Sequence, residues 1–152
     1  MSAELPVIDK VFAYVTRGDS LLVFEHPEHP EVGVQVPAGT LRANETPAEG
    51  AMREALEETA LTQLELVEFL GTRDFDMRGF GKQQLHRRHF YWIVTAERTP
   101  PRWRTVEQDA SDGSGEHIFE LYWAPLADMP ELEAGHDAMI PELIARMTAR
   151  AR

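Results

Sequence analysis

Cysteine is absent from the 152 residues. That excludes a disulfide framework, a thiolate nucleophile and every Cys-ligated zinc or iron–sulfur site. Long apolar runs are missing as well. No stretch reaches the roughly 18 residues of a membrane-spanning helix, and Met1 to Lys10 carries charges and Pro6 where a signal peptide needs an unbroken apolar core. Serine is scarce: Ser2, Ser20, Ser111 and Ser114 are all there are, and none sits in a nucleophile-elbow pattern. Gly81-Lys82 is followed by Gln83, so a P-loop is missing too. Basic residues are in deficit, 15 Lys plus Arg against 26 Asp plus Glu, and the net charge of -11 has the wrong sign for gripping a nucleic-acid polymer. These absences together predict a soluble, cytoplasmic protein with no membrane or nucleic-acid partner.

What remains is an ordinary globular composition, 43% hydrophobic and 27% charged, at a length that suits one domain of the usual size, about 100 to 150 residues. Val7 to Thr16 and Leu21 to Glu25 are rich in β-branched and aromatic residues and flank Arg17-Gly18-Asp19-Ser20, which predicts a hairpin. His26 to Pro30 reads as a stiff surface loop, because both histidines precede prolines. Val32 to Val36 alternates towards a short strand that Pro37-Ala38-Gly39 should stop. Gln63 to Asp76 and Gln83 to Ala96 should pair as a second hairpin, and Thr99 to Gly115, poor in apolar residues, reads as one long loop. Glu116 to Trp123 follows as a strand, Pro125 to Met129 as a short helical turn, and His136 to Arg150 as a helix with one apolar stripe.

The segment best specified is Pro47 to Ala60. Thr46 is an N-cap residue, Pro47 suits the first helical position, and Glu49 completes a capping box. At 100° per residue Ala48, Ala51, Met52, Ala55, Leu56 and Thr59 share one face, small and apolar enough to pack on a sheet. Glu49, Gly50, Arg53, Glu54, Glu57 and Glu58 share the other. Glutamates at three- and four-residue spacing repel by a few tenths of a kcal/mol per pair unless something neutralises them. Clustered carboxylates on a rigid helix are what a hard divalent cation requires, with substrate phosphates completing its shell.

Gly39, five residues, Glu45, seven residues, then Arg53-Glu54-Ala55-Leu56-Glu57-Glu58-Thr59-Ala60-Leu61 resembles the Nudix box of the Nudix hydrolases. One identity departs from the pattern: Ala60 stands where the box has its last glycine. The resemblance implies an α/β fold of the Nudix type, an α/β/α sandwich with a mixed sheet, one catalytic helix near 47–60 and a C-terminal helix. It implies an enzyme that uses Mg²⁺ or Mn²⁺ to cleave a nucleoside diphosphate linked to another moiety X, by attack of metal-activated water on phosphorus. Carried over by position, Gly39, Glu54, Glu57 and Glu58 are the expected metal ligands. Arg53 would orient the carboxylates and Glu45 would hold the loop. The catalytic base is left to Glu116 first, then Glu120 or Glu54.

Candidate substrate residues are Arg87, His89 and Tyr91, drawn from the one basic cluster His86 to His89 beside Phe90-Tyr91-Trp92. Alternate strand residues face opposite ways, so at most half of that cluster can meet one ligand. Trp103 is the expected lid or stacking residue of the long loop. His26, His29, His117 and His136 read as ordinary loop and strand residues. Nucleoside triphosphates, ADP-ribose or nucleotide sugars, and dinucleoside polyphosphates stay open as substrates, and a homodimer is in keeping with the family. The competing expectation is a noncatalytic Nudix-fold domain that senses a nucleotide. A prenyl diphosphate isomerase of the same fold would want a reactive cysteine.

Overall fold

In the computed structural model, which describes residues 4–107 and 116–151, seven strands and two α-helices follow the chain. They are β1 (Val7–Arg17), β2 (Ser20–Glu25), β3 (Ala38–Thr40), α1 (Pro47–Thr59), β4 (Glu65–Asp76), β5 (Leu85–Val94), β6 (Arg102–Glu107), β7 (His117–Pro125) and α2 (Ile140–Arg150). The strands run in the order β4-β5-β1-β2-β7-β6, with β3 pairing on β1. The β1–β5 pair is parallel and the others are antiparallel, so the sheet is mixed. Both expected hairpins form.

The position of the cleft follows from register. β1 pairs with β2 only at Thr16↔Leu21 and Arg17↔Ser20, beside the turn. Further back β2 leaves it, and β3 takes that edge at Lys10↔Thr40, Val11↔Gly39 and Phe12↔Ala38. The β4-β5-β1 half of the sheet therefore diverges from the β2-β7-β6 half, and the opening between them is the mouth of the cleft. Two apolar clusters close the faces. One gathers Phe12, Tyr14, Phe90 and Trp92 with Met139 and Leu143 of the α2 region, and the other gathers Ala13, Val15, Ile93 and Phe119 with Ala55 of α1.

Helix α1 begins as its sequence requires. Thr46 accepts the Glu49 amide at 3.1 Å while the Glu49 carboxylate accepts the Thr46 amide at 2.9 Å. Its two faces do not divide as simply as a hydrophobic stripe suggests. Ala51, Ala55 and Thr59 are buried, but so are Glu54 and Glu58, whereas Leu56 is 41% exposed. The small residues let the helix approach the sheet closely, and that approach carries two carboxylates into the cleft.

Three expectations need correction. Val32 to Val36 makes only isolated bridges, Phe24↔Gln35 and Val34↔Leu132, and the strand lies instead at Ala38–Thr40, where Pro37-Ala38-Gly39 had been expected to end one. The expected 99–115 loop contains β6, paired over its whole length with β7; the Gly113-Ser114-Gly115 segment lies outside the described residues. The last helix starts at Ile140 rather than His136, with Pro141 in its first turn. Among the described residues no helix is long and apolar enough to cross a membrane.

Ala60 closes α1 in the left-handed region, at φ 63° and ψ 8°. A Cβ there costs about 1 kcal/mol that glycine avoids. Ala60→Gly should therefore raise the melting temperature by about 2–4 °C for a chain of this size, measured by thermal unfolding; an unchanged or lower value would mean that the left-handed turn is not strained.

Candidate active site

A cavity of about 790 Å³ lies between the diverging half-sheets, with α1 and β3 along one side. Its lining includes Gly39, Arg53, Glu54, Glu57, Glu58 and Glu107 together with Lys10, Phe12, His86, Arg88 and His136. Acidic and basic groups thus share one opening.

The acidic wall is built from α1 outward. Arg53 donates from Nε to Glu45 at 2.7 Å, from Nη2 to Glu45 at 2.8 Å, and from Nη1 to Glu54 at 2.6 Å. The bidentate Arg53 fork, with help from the Arg42 amide, holds the Glu45 carboxyl down at about 2, and Glu45 in return raises the Arg53 guanidinium. The 40–45 loop is thereby pinned to the helix, and Glu54 is fixed by the same guanidinium. Glu58 accepts the Ala38 amide at 3.3 Å and lies against Glu54. Burial first, and then the neighbouring Glu54, push the Glu58 carboxyl well above the usual carboxylate range.

Gly39 is required by contact. A Cβ placed there would lie 2.1–2.7 Å from the carboxylate atoms of Glu54. At the far end of α1, β6 takes up carbonyls that the helix leaves unpaired: Thr105 Oγ1 donates to the Glu58 carbonyl at 2.6 Å and Trp103 Nε1 to the Thr59 carbonyl at 2.8 Å. Those bonds place Glu107, two residues along the same strand face, beside the cavity, where its charge contributes to the raised Glu58.

The chemistry of the donors suits a hard divalent cation. Glu54 and Glu58 are two adjacent buried carboxylates with one arginine between the pair of them, and a proton or a cation must relieve their repulsion. Glu57 is turned elsewhere, to Arg42 at 3.6 Å and Arg53 at 3.5 Å. Among the described residues no three carboxylates or imidazoles form a ready-made metal cage. Mg²⁺ does not need one, because it is usually held by one or two carboxylates plus water and substrate phosphates.

The remaining expected residues fall elsewhere. Arg87, His89 and Tyr91 face away from the cavity: Arg87 pairs with Asp74 at 3.0 Å, His89 contacts Asp9 at 3.0 Å and Thr72 at 3.1 Å, and the Tyr91 ring lies 5.1 Å from Phe69. Strand alternation is the reason, and it sends His86 and Arg88 inward instead. The signal was present in the parity of Phe90 and Trp92, buried residues on the same face as Arg88. Glu116 is exposed at the entry to β7 and does not line the cavity, whereas His117 and Phe119 do. Glu120 is engaged by Arg102 at 3.0 Å and Arg104 at 3.2 Å. Trp103 is an anchor on β6, 6.4 Å from the ring of Trp123, and not a lid. Sequence reasoning missed Lys10, Glu107 and the role of His136, because these three reach the cleft through long-range pairing, and it passed over Arg88 by following the other parity of β5.

Two predictions follow from the acidic wall. Gly39→Ala drives a methyl group into the Glu54 carboxylate, so a gain in thermal stability on adding Mn²⁺ or Mg²⁺, expected of the wild type, should be lost while the metal-free fold persists; an unchanged metal response would show that the contact is irrelevant. Because the Glu45 carboxyl lies below its ordinary 4.5, its contribution is complete above pH 4.5 and is lost as pH falls towards 2. Urea midpoints should drop across that window in the wild type, and less steeply in Glu45→Gln.

Comparisons place this geometry among known proteins. A family model for the NUDIX domain matches residues 7–143. No curated protein matches the sequence. Among solved structures, a UDP-X diphosphatase superposes with a TM-score of 0.65 at 15% identity, over 98% of this chain and 66% of that one. A MutT NUDIX hydrolase from Burkholderia pseudomallei gives 0.65 at 18% identity, over 90% and 98% of the two chains. The E. coli dihydroneopterin triphosphate pyrophosphohydrolase gives 0.62 at 17%, over 93% and 96%. Those superpositions show the fold, and the match of the family model over nearly the whole chain establishes the kinship: this chain belongs to the Nudix family.

Proposed function

We propose that the chain is a Mg²⁺-dependent Nudix hydrolase that cleaves the diphosphate bond of a nucleoside diphosphate linked to a further group X. The observation that carries this reading is the gathering, in the lining of one cavity, of the carboxylates Glu54, Glu58 and Glu107 with the cations Lys10 and Arg88. Glu54 and Glu58 would hold the cation, with the Gly39 carbonyl and a reoriented Glu57 as further ligands. When bound, the cation offsets charge on the diphosphate and acidifies water.

The chain's own groups supply the rest. Lys10 donates to Thr40 Oγ1 at 2.7 Å and stands in the field of both Glu54 and Arg88, so its ammonium is placed to receive phosphate oxygens next to the carboxylates. Burial and the neighbouring Lys82 and Arg88 lower its pKa, and Glu54 works in the opposite direction. Arg53 keeps Glu54 in a single orientation. Glu107 takes the proton of the attacking water: the water oxygen bonds to phosphorus, the bridging phosphorus–oxygen bond breaks, and the electron pair leaves with the departing phosphate. This assigns Glu107 the role that the sequence had given to Glu116.

The test is hydrolysis of a panel of nucleoside triphosphates, ADP-ribose, nucleotide sugars and dinucleoside polyphosphates, with products identified by mass, with and without Mg²⁺. Glu107→Gln should lower kcat by about 10²–10⁴, the range for loss of a general base, whereas Glu116→Gln should leave it within a few-fold. The reverse pattern would return the base to Glu116. Nucleotide binding without turnover of any panel member would overturn the hydrolase in favour of a sensing domain.

A further inference from the structure

Arg88 is 4% exposed, yet among the described residues it has no carboxylate partner. Its guanidinium offers five N–H donors. One is donated to the Ala134 carbonyl and one to the Met77 sulfur, and Nε is buried with no partner at all. The rings of Phe12 and Phe75 lie 4.9 Å and 4.1 Å from its charged carbon. They lend quadrupolar attraction but no counter-charge. A buried cation left unpaired is destabilising, and the adjacent strand adds a second cation, since Lys10 is the register partner of Arg88.

A structural role for Arg88, bracing the 133–136 turn, does not account for the charge, because a neutral side chain could reach the same carbonyl. The turn itself is built to hold a wall of the cavity. Ala134 and Gly135 are both left-handed, at φ 47° and 75°, and a Cβ on Gly135 would lie 2.9 Å from the Phe75 ring and 3.1 Å from Arg88 Nη1. His136 follows. Its Nδ1 accepts the Val36 amide at 3.1 Å, so in the neutral ring Nε2 carries the proton. Burial and the nearby Arg88 keep that ring neutral, with its pKa lowered to about 3. The His136 carbonyl accepts the Tyr14 hydroxyl at 2.6 Å, and the ring packs edge-on against Phe12 at 4.8 Å. Both Arg88 and His136 line the cavity.

We infer that Arg88 and His136, next to Lys10, form a subsite for an anionic group of the substrate beyond the diphosphate, so that the enzyme selects an X that carries its own phosphate. The inference rests on the reading of the cleft as a diphosphate site and narrows its substrate class. Such a group occurs as the terminal phosphate of a nucleoside triphosphate or as a phosphate on a sugar in X. A neutral X would leave the Arg88 charge uncompensated.

The experiment pairs binding with kinetics. In EDTA, calorimetry would compare inorganic tripolyphosphate with pyrophosphate for wild type, Arg88→Gln and Arg88→Lys. The wild type should prefer tripolyphosphate, and Arg88→Gln should lose at least about tenfold of that preference, as expected for removal of one partner from a buried charge pair. Arg88→Lys should keep most of it and covers the case in which Arg88→Gln does not fold. Equal weakening towards both anions, or no change in either, would overturn the subsite. With Mg²⁺, the ratio of kcat/KM for a nucleoside triphosphate to that for ADP-ribose should fall in Arg88→Gln. A nucleoside diphosphate linked to a sugar phosphate, compared with its unphosphorylated counterpart, then tells the two sources apart. A binding preference that depends on Arg88, with no turnover of any substrate, would sustain the subsite while refuting the hydrolase.

Discussion

Two carboxylates, Glu54 and Glu58, are carried side by side out of water by the close approach of a helix to a sheet, and the rest of the cleft is arranged around their repulsion. The fold makes the approach possible, since α1 presents Ala51 and Ala55 to the sheet. Gly39 leaves room for the Glu54 carboxylate where any side chain would intrude. Arg53 supplies one counter-charge and is itself fixed by Glu45, which ties the preceding loop to the helix. What Arg53 does not neutralise is Glu58. That deficit is what a divalent cation would fill, and it explains how an acidic protein can hold an anionic substrate.

The basic residues of the same cavity have the complementary deficit. Lys10 and Arg88 stand on neighbouring parallel strands, and burial lowers the pKa of each, that of Arg88 to about 10, which leaves it charged at neutral pH. Each set carries charge that its own residues do not cancel, and a metal–polyphosphate complex is the kind of ligand that cancels both. Binding and the local cost of keeping the site ready are thus the same electrostatic problem seen from its two sides.

How much of this was legible in the sequence depended on the range of the interaction. The capping box, α1 and the register of Gly39, Glu45, Arg53, Glu54, Glu57 and Glu58 are local, and a motif of fixed spacing records them. The family and its mixed α/β fold followed from that motif and the two hairpins. The inner face of β5 is a matter of parity: the basic cluster alone points to Arg87, His89 and Tyr91, whereas the buried Phe90 and Trp92 mark the other parity as the one that faces inward. β6 was read as loop because Pro100-Pro101 and the polar residues after it outweigh the period-two pattern of Trp103, Thr105 and Glu107. With β6 went Glu107. His136 could not be found locally, since its place is fixed by Tyr14 and Val36, more than a hundred and about a hundred residues away in the chain.

The central claim is that the crowded Glu54–Glu58 pair, whose burial raises the Glu58 carboxyl, is where a divalent cation binds. Calorimetry of Mg²⁺ or Mn²⁺ binding over a range of pH, repeated in buffers of different ionisation enthalpy, counts the protons released. The account predicts binding accompanied by proton release that diminishes as pH rises, because Glu58 is then ionised beforehand. Binding with no proton release at any pH, or no binding at all, would contradict it.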